Sequence, residues 1–164
     1  MATYLVDSNL FIQAHRVNYP LDVVTGFWKT ISKLAQEDKL CSIDKVKKEI
    51  YENDDDLKDW CESNLPEGFF KNSENSIQSY KKVTAWAVSQ KEHYLQSAIN
   101  EFLEADVADA WLIAYAVEND MQIVTQEVSQ PERKNKIKIP EVCNHFGISY
   151  KNMIELFREL GVKF

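Results

Sequence analysis

The chain reads as an α/β fold, a central, mostly parallel β-sheet flanked by helices, and three observations carry that reading. Short apolar runs at residues 3–9, 40–43 and 120–125 alternate with longer segments whose apolar residues recur at three- and four-residue steps. Residues 104–117 are apolar almost all round once past their acids, as a helix buried on most faces is. The first run, Thr3-Tyr4-Leu5-Val6, stops abruptly in Asp7, Ser8 and Asn9, which sets a carboxylate at the carboxyl end of a strand, where open α/β sheets hold their ligands.

After that strand, residues 22–37 place Val23, Val24, Phe27, Trp28, Ile31, Leu34 and Ala35 on one stripe and predict the first crossover helix. Leu40 to Ile43 is the second strand, and Asp44 can cap a helix running through Val46, Ile50 and Tyr51. The acidic run at 53–56 precedes Leu57, Trp60 and Cys61 in helical spacing, so it favours the positive end of a helix. Residues 64–76, with Pro66, Gly68 and several Ser and Asn, predict a loop, and residues 77–103 predict two helices broken near 89–92. The buried helix at 104–117 carries Asp106 and Asp109 on one side of its first turn. Met121, Ile123 and Val124 form the next strand, ending in Thr125-Gln126-Glu127 as the first ends in Asp7-Ser8-Asn9. Residues 137–139 read as a last strand, Pro140 opens a short helix that Gly147 ends, and residues 150–160 form the closing helix.

A chain of 164 residues with 45% hydrophobic content suits one domain with a real core, expected to span 1–164. It has neither a secretory leader pattern nor the roughly 18–20 consecutive apolar residues that span a bilayer, so a cytoplasmic protein with no membrane partner is expected. Cys41, Cys61 and Cys143 lack metal-ligand spacing and read as buried thiols, and His15, His93 and His145 are scattered. A net charge of -7 excludes nucleic-acid binding through a broad basic face. It does not exclude a nuclease whose carboxylates hold cations. Local basic clusters stand at Lys45 to Lys48 and from Arg133 to Lys138, and both read first as solvated faces. Trp28, Trp60, Trp86 and Trp111 read as core and interface side chains.

Four carboxylates then stand where an apolar element meets a turn: Asp7, Glu49, Asp106 or Asp109, and Glu127. In a parallel sheet with right-handed crossovers, strand ends and following helix starts share one edge, so these acids can converge there. Packed together they repel unless protonated or metal-bound, and an all-oxygen set suits Mg²⁺ or Mn²⁺. Each also has a structural reading: Asp7 as a turn residue, Glu49 as a surface acid paired with Lys45 or displaced by Glu52, Asp106 and Asp109 as caps, and Glu127 as a loop acid.

Val-Asp-Ser-Asn at 6–9, the acid after the second strand, Asp-Ala-Trp-Leu-Ile-Ala-Tyr-Ala at 109–116 and Ile-Val-Thr-Gln-Glu at 123–127 resemble, in order, the four acidic motifs of PIN-domain nucleases. Tyr19-Pro20, Phe27-Trp28 and Ile139 to Cys143 extend the resemblance to a prokaryotic PIN-like family of otherwise undefined function, over most of the chain. The resemblance implies a single PIN-like domain, with Asp7, Glu49, Asp109 and Glu127 as catalytic and metal-binding acids and Ser8 and Thr125 as supporting hydroxyls. Asp106, with no single counterpart, stands beside Asp109 as a further supporting residue, and Glu127 departs from the Asp more common at its position. The implied activity is Mg²⁺- or Mn²⁺-dependent hydrolysis of RNA to 3′-hydroxyl and 5′-phosphate ends. The implied partners are an RNA substrate and, if the chain is a toxin of a toxin–antitoxin pair, an antitoxin protein, with a homodimer left open. Two alternatives stand beside it: a non-catalytic binding module, and a phosphatase or phosphotransferase using Asp7 as nucleophile, which Asn9 in place of a second Asp disfavours.

Overall fold

The computed structural model describes residues 3–163, so residues 1, 2 and 164 of the expected domain span lie outside the described residues. Strands β1 (Tyr4–Val6), β2 (Leu40–Ile43), β3 (Phe70–Lys71), β4 (Gln122–Val124) and β5 (Tyr150–Lys151) form one sheet in the order β3-β2-β1-β4-β5. Every neighbouring pair is parallel, as the alternation of strands and helices predicts. All residues of β1 and β2 are buried. Successive strand side chains point to opposite faces, so this burial means helices cover both sides of the sheet.

The helices are α1 (Ser8–Gln13), which runs into a π-helical turn at Ala14–Asn18, α2 (Thr25–Gln36), α3 (Asp44–Tyr51), α4 (Asp56–Asn64), α5 (Ile77–Ser89), α6 (Gln96–Leu103), α7 (Ala108–Asn119), α8 (Ile139–Phe146) and α9 (Met153–Leu160). Helix α7 packs against α3, α5, α6 and α8, and seven of its residues are buried, which matches its nearly all-apolar sequence. On α2, Phe27 meets Phe157 of α9 at 6.1 Å. Trp28 and Trp111 are buried, with Trp111 stacked on Tyr80 at 3.8 Å, while Trp60 and Trp86 pack at the margin of the core. The three cysteines are buried, and burial pushes the thiols of Cys61 and Cys143 up to about 12.

Several expectations change. Residues 64–76 are not all loop, because Phe70 and Lys71 pair with Ser42 and Ile43 as an edge strand. Residues 137–139 form no strand, since Ile139 already opens α8. The last strand is instead Tyr150–Lys151, taken from the start of the expected closing helix, which Asn152 caps through its bond from the Glu155 N–H. Asp7 is followed directly by a helix, α1, and is its N-cap.

The strand order sets the ligand edge. From β1 the chain moves through β2 to β3 on one side, then crosses back to β4 on the other side of β1. Connections therefore diverge between β1 and β4, which opens a crevice at their carboxyl ends. Val6 pairs with Val124, so Asp7 and Thr125 leave the sheet side by side at that crevice.

Candidate functional site

Asp7 is 1% exposed, and its backbone N–H donates to Val124 O at 3.1 Å. Its carboxylate accepts from Thr125 Oγ1 at 2.9 Å and from the Asn9 N–H at 3.3 Å. The second bond caps α1. Ser8 has one hydroxyl hydrogen, and its 2.6 Å contact with Glu49 Oε2 outcompetes the 3.5 Å approach to Asp7 Oδ1.

Glu49 reaches the same crevice from α3. Its other oxygen, Oε1, accepts from the Ala108 N–H at 2.9 Å, so this carboxylate caps α7 from a distance of 59 residues along the chain. Val107, at the N-cap position, supplies no side-chain cap. Lys45 pairs with Asp44 at 3.4 Å, and Glu52 is exposed, so Glu49 is the acid of α3 that joins the cluster.

Glu127 completes the crevice beyond β4. Its N–H donates to Thr125 Oγ1 at 3.1 Å, and its Oε2 accepts from the Ile139 N–H at 2.8 Å. The side chain is 8% exposed, and Lys136 Nζ stands 3.8 Å from Oε1, which has no hydrogen-bond partner. Asp109, in the first turn of α7, is held in the field of the other three. Burial raises its pKa well above the ordinary value of 3.8, and Asp7, Glu127 and Glu49 add to the rise, against a lowering by Lys136. Burial, then the Glu127 charge, push Asp7 up to about 6 despite the opposing bonds from Thr125 and Asn9. Like charges in a poorly solvated crevice hold protons more tightly, and such groups concentrate at functional sites.

The structure thus brings Asp7, Glu49, Asp109 and Glu127 to one edge, with Ser8 and Thr125 hydrogen-bonded between them. It does not bring Asp106. That residue precedes α7, its side chain is 81% exposed, and it pairs with Lys48 at 2.9 Å. Asp106 is therefore not on the first turn of the helix with Asp109, and its carboxylate is taken up at the surface.

Residues 4–164 match a family described as a domain of unknown function, DUF4411. The chain belongs to that family. No curated protein and no solved structure matches it. The match spans all four cluster acids, so the crevice lies inside the family's own domain.

The acids share one field without closing on one point: among the described residues, no three His, Cys, Asp or Glu side chains are arranged to hold a metal ion. The hydrogen bonds account for the spread. Ala108 and Ser8 hold Glu49 toward α7 and α1, while Ile139 and Lys136 hold Glu127 toward α8. The donors nevertheless suit a hard divalent cation, since all are carboxylate or hydroxyl oxygens and Glu127 Oε1 is buried with no hydrogen bond. Sequence reasoning missed two groups here. The sequence puts Lys136 only in a basic run that reads as a solvated face, and the Ala108 N–H has no side-chain signature at all.

Proposed function

We propose that this chain is a Mg²⁺- or Mn²⁺-dependent ribonuclease of PIN-like type, acting as the toxin of a toxin–antitoxin pair. The observation that carries the reading is the placement of Asp7, Glu49, Asp109 and Glu127 at one edge of the sheet, at the carboxyl ends of β1 and β4, with Thr125 bonded to Asp7 and Ser8 to Glu49. Asp7, Asp109 and Glu127 would hold the cation once their side chains turn toward a common point, and Glu49, already fixed by two donors, bounds the crevice. Bound there, the ion supplies the positive charge that a phosphodiester meets and the acidification that turns water into a nucleophile at neutral pH. Thr125 keeps Asp7 in a single rotamer through its 2.9 Å bond, and the buried position of Asp7 keeps competing bulk water off its carboxylate. Ser8 does the same for Glu49. No side-chain nucleophile is required.

The test is cleavage of labelled single-stranded RNA by the purified chain in Mg²⁺ or Mn²⁺, compared with chelator and with Asp7→Asn. The variant should lose more than the roughly 10–100-fold that removal of an outer-shell partner of a metal ligand costs. RNA cleavage at the parental rate by Asp7→Asn removes the assignment. For the toxin role, expression of the parent should slow growth while Asp7→Asn does not, and equal growth of both strains counts against it.

One observation favours a second reading, a non-catalytic binding module: the carboxylates of Glu49 and Glu127 are both engaged by backbone N–H groups at helix starts. Calorimetric titration with Mn²⁺ separates the two. A binding module predicts no heat that Asp7→Asn abolishes.

A further inference from the structure

Beside Glu127 opens a crevice of about 350 Å³ whose walls carry Arg133, Lys136 and Lys138 together with the amides of Asn9, Gln13 and Gln126. All three cations are half-buried. In a chain of net charge -7, this concentration of positive charge stands directly against the acidic cluster, joined to it by the 3.8 Å contact of Lys136 with Glu127. Arg133 is held in place by bonds from Nε to Asn135 at 2.7 Å and from Nη1 to Gln130 at 3.1 Å, which use amide oxygens and leave its charge uncompensated. Neither Arg133 nor Lys138 has an ion-pair partner among the described residues.

The other basic cluster differs. Lys45 is paired with Asp44 and Lys48 with Asp106, so two of its three charges are paired within the protein, while Lys47 lies over the Tyr51 ring at 5.3 Å, away from the acids' crevice. An anion approaching the acids therefore meets net attraction chiefly from the side of residues 133–138.

The geometry points to this crevice as a subsite for the phosphodiester backbone of a single-stranded polynucleotide, next to the cleavage centre. The inference rests on the nuclease reading and adds the direction from which the strand enters. Cations that contact phosphate and amides that can bond phosphate or sugar oxygens are the groups such a backbone recruits, and they position a strand without reading its sequence. Lys136, between the crevice and Glu127, is the residue placed to exchange its carboxylate partner for a phosphate.

The test measures binding of a fluorescent single-stranded RNA 12-mer to the full chain in Mn²⁺, on an Asp7→Asn background, across a salt series. Each phosphate contact contributes about 0.7 to the log–log salt slope for a single strand, so Arg133→Gln/Lys138→Gln should lower the slope by about 1.4. The charge-conserving Arg133→Lys/Lys138→Arg should keep it, as should Lys29→Gln/Lys33→Gln on the exposed face of α2. In the cleavage-competent chain, Arg133→Gln/Lys138→Gln should raise KM more than it lowers kcat. If the slope and KM are unchanged while the parent still cleaves RNA, the subsite is lost and the nuclease stands. An equal fall in slope for the α2 variant overturns the subsite too, because attraction is then not local. An oligoglutamate of the same charge that competes as well as the RNA overturns the strand assignment. If the parent neither binds nor cleaves RNA, both readings fall together.

Discussion

Replacing Asp7 by Asn should make the protein more stable, although it leaves one acceptor oxygen where the carboxylate accepts two hydrogen bonds. Asp7 is buried, and its pKa rises from 3.8 to about 6, chiefly through desolvation and the Glu127 charge. The folded chain therefore holds the proton at pH values where the unfolded chain has released it, so stability falls as pH rises through about 4 to 6 and the full cost remains above that window. At 1.36 kcal/mol per pKa unit the cost is about 3 kcal/mol at neutral pH. Asparagine removes that charge, but its single amide oxygen can replace only one of the two carboxylate oxygens that accept from Thr125 and from the Asn9 N–H, and one lost hydrogen bond costs about 1 kcal/mol. The net gain of about 2 kcal/mol corresponds to a rise in Tm of roughly 4–8 °C for a chain of this size.

The assay is thermal unfolding by circular dichroism in chelator at pH 7.5 and at pH 4.5. The advantage of Asp7→Asn should be present at the higher pH and shrink or reverse at the lower. On the proposed nuclease reading, Mn²⁺ at about 100 times its Kd should stabilise the parent by about 2.7 kcal/mol and close the gap, because the variant would lack a ligand. A variant that melts below the parent at pH 7.5 in chelator would refute the idea that charge crowding, rather than hydrogen bonding, governs Asp7.

Glu49→Ala should destabilise the protein by about 1–2 kcal/mol in urea unfolding, since it uncaps α7 at Ala108 and strands the Ser8 hydroxyl, whereas Glu49→Gln can keep the bond from Ala108 and should lose less. On the proposed nuclease reading, Asp106→Asn, at an exposed pair with Lys48, should leave the initial rate of RNA cleavage within roughly twofold of the parent, and a larger loss would return Asp106 to the cluster.

The parts of the fold that were legible are those whose signal is local. β1 and β4 announce themselves as apolar runs cut off by polar residues, α2 by its stripe, α7 by its all-round apolarity and α8 by Pro140 and by Gly147 at φ 70. β3 and β5 were not legible because two-residue edge strands have no period to show, and what makes them strands is pairing with β2 and β4 across distant sequence. Residues 137–139 look like a strand by alternation. The Ile139 N–H is instead claimed by the Glu127 carboxylate at 2.8 Å, and a backbone donor spent on a side chain cannot enter a sheet ladder.

The same accounting changes how the acids should be read. From sequence alone, a capping role and a chemical role for Asp7, Glu49 or Glu127 look like competing explanations. In the fold Asp7 caps α1, Glu49 caps α7 and Glu127 receives the first N–H of α8, yet the three still raise the proton affinity of Asp109. A carboxylate with one oxygen fixed by a helix start loses rotamer freedom, and the other oxygen is then held toward the crevice at little further entropic cost. Glu127 shows this division most clearly, with Oε2 bonded to Ile139 and Oε1 buried with no hydrogen bond beside Lys136. Capping is thus the means by which this fold aims carboxylates, and Asp106, which caps nothing and pairs with Lys48 at the surface, is the acid left outside the cluster.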